Sequence, residues 1–130
     1  VHLGQDDLPL AEARRLRAFA KAERMLIGFS THNRAQALAA ADGGADYIGF
    51  GPVFATASKA NPDPTVGLSA LAEVCRAVTV PVVAIGGIGL ESVSAVARAG
   101  AAAAAVISAI DGAADPTAAG REVARAFAPV

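Results

Sequence analysis

The chain has no tryptophan and only one tyrosine, one methionine and one cysteine in 130 residues. The lone Cys75 excludes an internal disulfide. Charge of one sign is lacking too: the formal net charge is −1, and the largest basic cluster is the helix face Arg14-Arg15-x-Arg17. Nucleic acid is therefore not expected as a partner. Long apolar runs are also missing, and Ala101 to Val106 is far too short to span a bilayer. With no signal peptide in view, the expectation is a cytoplasmic protein with no membrane partner. What the chain does have is 54% hydrophobic residues, enough for one core and one domain. It starts without Met in an apolar turn, Val1-His2-Leu3-Gly4, which reads as the end of a strand whose beginning is absent. A fragment of a longer gene product is the expectation.

Helix and strand patterns alternate along the chain with short connections. Asp7-Leu8-Pro9 offers a cap and an early-turn proline, after which Ala13, Leu16 and Ala20 recur at helical spacing. Met25 to Phe29 reads as a buried strand. Thr31 or Asn33 caps the next helix, which buries Ala37, Leu38 and Ala41 and stops at Gly43-Gly44. Asp46 to Phe50 is a strand, and after a long loop Leu68, Leu71, Ala72, Cys75 and Val78 mark one helix face. Val82 to Ile85 is a strand, with a helix through Val93, Val96, Ala97 and Gly100. Ala103 to Ile107 forms the last strand, and Gly120, Val123, Ala124 and Phe127 stripe the last helix. Met25 and Cys75 are assigned to the core.

Strands that are apolar throughout have both faces covered, as in a parallel α/β sheet. A doubly wound sheet gathers its chemistry at one switch point, whereas a (β/α)₈ barrel collects it from all strand ends. Here polar residues follow every strand: Gln5-Asp6-Asp7, Ser30-Thr31-His32, Thr56 to Lys59, Gly86-Gly87 and Ser108. The barrel is the better reading. A whole barrel needs about 200–250 residues, so residues 1–130 correspond to about half of one; the expectation is its C-terminal half, from the end of strand 4 through helix 8. Strands 1–3 and most of strand 4 would then be absent.

The candidate site residues carry two readings each. Gly86-Gly87 and Ile107-Ser108 stand where barrels bind phosphate, because glycine lets backbone N–H groups approach an anion; alternatively the glycines only make a tight turn. Asp7 is either a hard oxygen ligand for Mg²⁺ or a helix N-cap, and the residues alone favour the cap. Gln5 reads as a loop residue. Ser30 is a hydrogen-bond donor to an anion rather than a nucleophile paired with His32, and His2 reads as structural. Thr56, Ser58 and Lys59 offer two hydroxyls and an ammonium suited to a diphosphate, or else a solvated loop. Lys59 is the only Lys or Arg between Arg34 and Arg76.

Several segments, in this order, together resemble the thiamine phosphate synthase family. They are Val1-His2-Leu3-Gly4-Gln5-Asp6-Asp7-Leu8, Ile27-Gly28-Phe29-Ser30-Thr31-His32 and the stretch from Ala45 to Lys59. Ala84-Ile85-Gly86-Gly87-Ile88 and Val106-Ile107-Ser108-Ala109-Ile110 follow. The resemblance implies a (β/α)₈ barrel that joins hydroxymethylpyrimidine diphosphate to thiazole phosphate, forming thiamine phosphate and pyrophosphate. It implies Asp7 as a Mg²⁺ ligand, Ser30 and Lys59 as catalytic contacts of the diphosphate, and Thr56, Ala57 and Ser58 as a loop over the thiazole phosphate. Gly87, Ile107 and Ser108 would bind that phosphate. The family's loop usually reads Phe-Pro-Thr-x-Thr-Lys; here Ala55 replaces the proline and Ser58 the second threonine. Its Gln-x-Arg-x-Lys-type motif and Asn-Asp pair would precede Val1.

Two alternatives accompany this reading. One is a thiazole tautomerase-like relative in which the histidine at the His32 position transfers a proton. The other is a non-catalytic phosphate-binding half-barrel. An isolated half-barrel leaves sheet edges unpaired, so self-association and little synthase activity are expected of the 130-residue chain.

Overall fold

Five short runs of apolar and small residues pair side by side as one all-parallel sheet. The computed structural model describes residues 1–56 and 63–128. Its strands are β1 (His2–Leu3), β2 (Gly28–Thr31), β3 (Tyr47–Phe50), β4 (Val82–Ile85) and β5 (Ala103–Ala105). The helices are α1 (Leu10–Phe19), α2 (Arg34–Asp42), α3 (Gly67–Ala77), α4 (Leu90–Arg98), α5 (Ser108–Asp111) and α6 (Pro116–Ala126). The strand order is β1-β2-β3-β4-β5, without reversal. Among the described strands there is accordingly no switch point of the doubly wound kind, and all five C-terminal ends lie at the same end of the sheet.

Period-2 alternation divides the strand residues between two faces. One face carries the neighbouring rows Leu3, Phe29, Ile48, Val82 and Thr31, Phe50, Ala84, Ala104. It packs against Ala37 and Ala40 of α2, Leu71 and Val74 of α3, and Val93 and Val96 of α4. The other face carries His2, Gly28 and Tyr47 in one row, and Ser30, Gly49 and Val83 two residues further on. Thr31 is the buried polar residue of the helix-covered face, and its hydroxyl donates to the Gly49 carbonyl at 2.8 Å. That bond compensates the cost of placing a hydroxyl among apolar groups. Beyond the sheet, Val123, Ala126 and Phe127 of α6 pack against the same core.

Several expectations need correction. Pro9, not Asp7, is the N-cap of α1, which has no side-chain cap. Only Ala13 of that helix is buried; Leu16 and Ala20 are exposed. Thr31 belongs to β2, and the cap of α2 is Asn33, whose side chain accepts from Gln36 N. β2 begins at Gly28 rather than Met25, because Met25 N bonds back to Ala22 O in a turn. The Asp46 carboxylate, accepting from Ile27 N at 2.7 Å and Arg17 Nη1 at 2.6 Å, fixes the chain before β2. Met25 is thus exposed rather than core. β5 ends at Ala105, where Ile107 turns out and becomes the N-cap of the short α5.

Candidate active site at the strand ends

At the C-terminal end of the sheet a cavity of about 900 Å³ opens beside β1 and β2, with Asp6, Asp7, Ser30, His32 and Thr56 on its wall. A second depression of about 590 Å³ lies over Gly87, Ser108 and Glu91, and it too includes Thr56. A smaller hollow of about 70 Å³ brings Thr56, Gly87, Ile107 and Ser108 together. Thr56 therefore stands on the ridge between two compartments. Ile107 also reaches the first cavity.

Backbone conformation at two glycines builds that ridge. Gly86 and Gly87 have φ of +88° and +65°, values that L side chains rarely adopt. A Cβ at Gly87 would lie 2.3 Å from Ala55 O and 2.8 Å from the Phe54 carbonyl carbon. The segment after β3 thus lies directly on the Gly-Gly turn. Val53 N and Phe54 N donate to Ile85 O and Gly86 O, fixing it there. Of the two readings of Gly86-Gly87, the turn itself is present, and it also carries Thr56 to the place where the compartments meet.

Asp7 is held by the loop after β1: Gly4 N donates to its Oδ2 at 2.6 Å. The carboxylate faces the cavity instead of capping α1. Ser30, at the end of β2, is gripped twice. Gln5 Nε2 donates to its backbone carbonyl at 2.6 Å, and its Oγ lies 2.8 Å from His2 Nε2. His2 Nδ1 in turn lies 3.1 Å from the Tyr47 hydroxyl, with the two rings 5.5 Å apart. Partial burial lowers the His2 pKa from its ordinary value of 6.5. Gln5, His2 and Tyr47 are residues that composition left as loop or scaffold. The usable signal lay in the strand register, which was not legible until β1 and β2 were paired.

His32 sits on the same wall. Its Nδ1–H donates to the Gly51 carbonyl at 2.6 Å, its backbone N–H donates to Gln36 Oε1 at 2.8 Å, and its Nε2 lies 3.6 Å from Asp63 Oδ2. Because a carbonyl only accepts, the proton on Nδ1 is fixed by its partner. Ala57, Ser58 and Lys59 lie outside the described residues. Among the described residues no group of three His, Cys, Asp or Glu side chains could hold a metal ion. Asp7, with Asp6 beside it on the wall, matches the sparser requirement of Mg²⁺, which is bound by one or two carboxylates with waters and substrate phosphates.

A singly wound parallel sheet with cavities at its strand ends defines an α/β protein whose candidate site lies at those ends. The sequence profile of the thiamine monophosphate synthase family matches residues 1–110. The chain belongs to that family. The thiamine-phosphate synthase of Anaeromyxobacter dehalogenans is 58% identical over 127 residues, which cover 98% of this chain and 55% of that protein. The one from Chloroflexus aurantiacus is 46% identical over 123 residues, covering 95% of this chain and 55% of that protein. The solved thiamine phosphate pyrophosphorylase from Pyrococcus furiosus superposes with a TM-score of 0.83 at 36% identity, covering 98% of this chain and 58% of that one. The chain spans about half the length of the curated relatives it matches. Among the described residues no helix is long and apolar enough to cross a membrane.

Proposed function

We propose that residues 1–130 form the C-terminal half of a (β/α)₈ barrel in a cytoplasmic transferase of thiamine biosynthesis. That transferase couples hydroxymethylpyrimidine diphosphate to thiazole phosphate. The observation that carries the reading is the divided cavity: Asp7 and Ser30 on one compartment, Gly87 and Ser108 on the other, and Thr56 on both. Two substrates that must meet need such adjoining sites.

The C–O bond between the pyrimidine's methylene carbon and the diphosphate breaks first, the electron pair leaving with pyrophosphate. The thiazole nitrogen then donates its lone pair to the resulting cation, forming the C–N bond of thiamine phosphate. Little covalent work falls to the protein, which holds the partners together and stabilises charge on the departing oxygens. Ser30 Oγ–H donates to a diphosphate oxygen, and Lys59 places its ammonium on the leaving group. As the family resemblance implies, Thr56, Ala57 and Ser58 contact the thiazole phosphate, whose oxygens accept from backbone N–H groups around Gly87, Ile107 and Ser108. Mg²⁺ held by Asp7 would neutralise part of the diphosphate charge.

The outer strands β1 and β5 each leave one edge without a described partner. Leu16, Phe19 and Leu26 are 56%, 89% and 61% exposed. Both features favour self-association of the 130-residue chain and low turnover by it alone. Pyrophosphate release with both substrates tests the assignment. A tautomerase, for which His32 on the cavity wall would be the proton-transfer group, releases none.

A further inference from the structure

The open face of the sheet holds a chain of polar contacts, Tyr47 hydroxyl, His2 imidazole, Ser30 hydroxyl, of which the proposed chemistry uses only the serine. The distances are 3.1 Å and 2.8 Å. Only Ser30 of the three lines the cavity. We propose that His2 is a positioning residue, fixed by Tyr47, that turns the Ser30 hydroxyl proton outward to meet an oxygen of a bound phosphate or diphosphate.

A neutral imidazole has one N–H and one lone pair. If Nε2 carries the proton, it donates to Ser30 Oγ, and the serine proton is left to point into the cavity. Nδ1 then accepts from the Tyr47 hydroxyl. In the other tautomer Ser30 donates to Nε2, and its oxygen lone pairs face the cavity, where they repel an anion. A Tyr47 hydroxyl that donates to Nδ1 selects the useful tautomer, whereas one that accepted from Nδ1–H would select the other; Tyr47 is assigned the donor role.

The floor beneath these rings is built to hold them. His2, Gly28 and Tyr47 share one row across three strands. A Cβ at Gly28 would lie 2.1 Å from Tyr47 Cζ and 2.5 Å from His2 Nδ1. A Cβ at Gly49 would lie 3.3 Å from His2 Cε1. The two glycines leave room for the rings to lie across β2 and reach Ser30. Gln5 fixes the serine backbone from the other side through its 2.6 Å bond to Ser30 O. Partial burial keeps the His2 ring neutral to lower pH than usual, so the tautomer, not the charge, sets the direction of the serine proton.

This inference rests on the proposed phosphate-binding role of Ser30, and two readouts separate the two claims. Nitrogen NMR of the ¹⁵N-histidine-labelled 130-residue chain, with His2 assigned by its loss in His2→Gln, should show a protonated Nε2 and an unprotonated Nδ1. Tyr47→Phe should mix the tautomers. A protonated Nδ1 in the wild-type chain would overturn the proposal. Titration with Mg²⁺-pyrophosphate should then show about tenfold weaker binding for His2→Ala, near wild-type binding for His2→Gln, whose amide can still donate to Ser30, and no further loss when His2→Ala is added to Ser30→Ala. Additive losses would contradict a role exerted through Ser30. Equal pyrophosphate binding by the wild type and Ser30→Ala would defeat the phosphate reading of Ser30, while the tautomer would still decide the arrangement of the three side chains.

Discussion

The two faces of one sheet are built to opposite rules. The helix-covered face is filled with Ile48, Phe50, Val82 and Ala84, all at most 3% exposed, and admits a single hydroxyl, Thr31, fully bonded within the sheet. The open face replaces apolar bulk by glycine at positions 28 and 49 and lays His2, Tyr47 and Ser30 across the space. Alternation along the strands makes this division automatic: apolar and polar residues occupy neighbouring positions without touching the same surroundings. Apolar burial is concentrated on one side, and His2, Tyr47 and Ser30 lie on the other.

Substitutions on each face should break this division in different currencies. Phe50→Ala, on the covered face, should lower unfolding free energy by about 3–5 kcal/mol in urea titration. Lys59→Ala tests the proposed chemistry instead; it should reduce pyrophosphate release in an intact enzyme about a hundredfold, about 3 kcal/mol, without a matching loss in stability. Near-wild-type turnover would remove Lys59 from the mechanism. Gly28→Ala forces the Tyr47 and His2 rings aside and should cost about 1–3 kcal/mol in stability by the same urea titration. It should also weaken pyrophosphate binding, which a change confined to the covered face should not do. Thr31→Val keeps the shape and removes the donor to Gly49 O, a loss of about 1 kcal/mol in thermal unfolding with binding unchanged. The smallest effect is on pH. Because the folded His2 pKa lies below the unfolded value near 6.5, the neutral ring contributes stability above that pH. That stability is lost as pH falls through the lower folded value. His2→Gln should flatten this slope in melting curves recorded through the acid range.

Much of this was legible in the sequence where local rules and tertiary packing agree. β4 spans the Val82–Ile85 run that composition marks, and Val93 and Val96 are buried as their spacing predicts. The ends of elements were less legible. Met25 and Leu26 are as apolar as a strand requires, yet the turn at Ala22 and the Asp46 carboxylate start β2 three residues later. Leu16 and Ala20 fit a buried helical face but are exposed, because α1 meets the core through Ala13 and the partly buried Leu10. In the site, Thr56, Gly87, Ile107 and Ser108 are adjacent in space as their places after successive strands imply. Asp7 could not be separated from an ordinary cap, since its partner, Gly4 N, depends on the shape of the loop. His2 was illegible as anything but scaffold: its meaning depends on the register that sets it beside Gly28, within reach of Ser30.

The central claim is that this chain supplies one half of a two-substrate pocket that joins pyrimidine to thiazole. A chimaera in which residues 1–130 replace the aligned segment of the Anaeromyxobacter dehalogenans relative tests it most directly. With hydroxymethylpyrimidine diphosphate, thiazole phosphate and Mg²⁺, the chimaera should release pyrophosphate and form thiamine phosphate in equal amounts. A folded chimaera that binds both substrates and yields neither product would contradict the account.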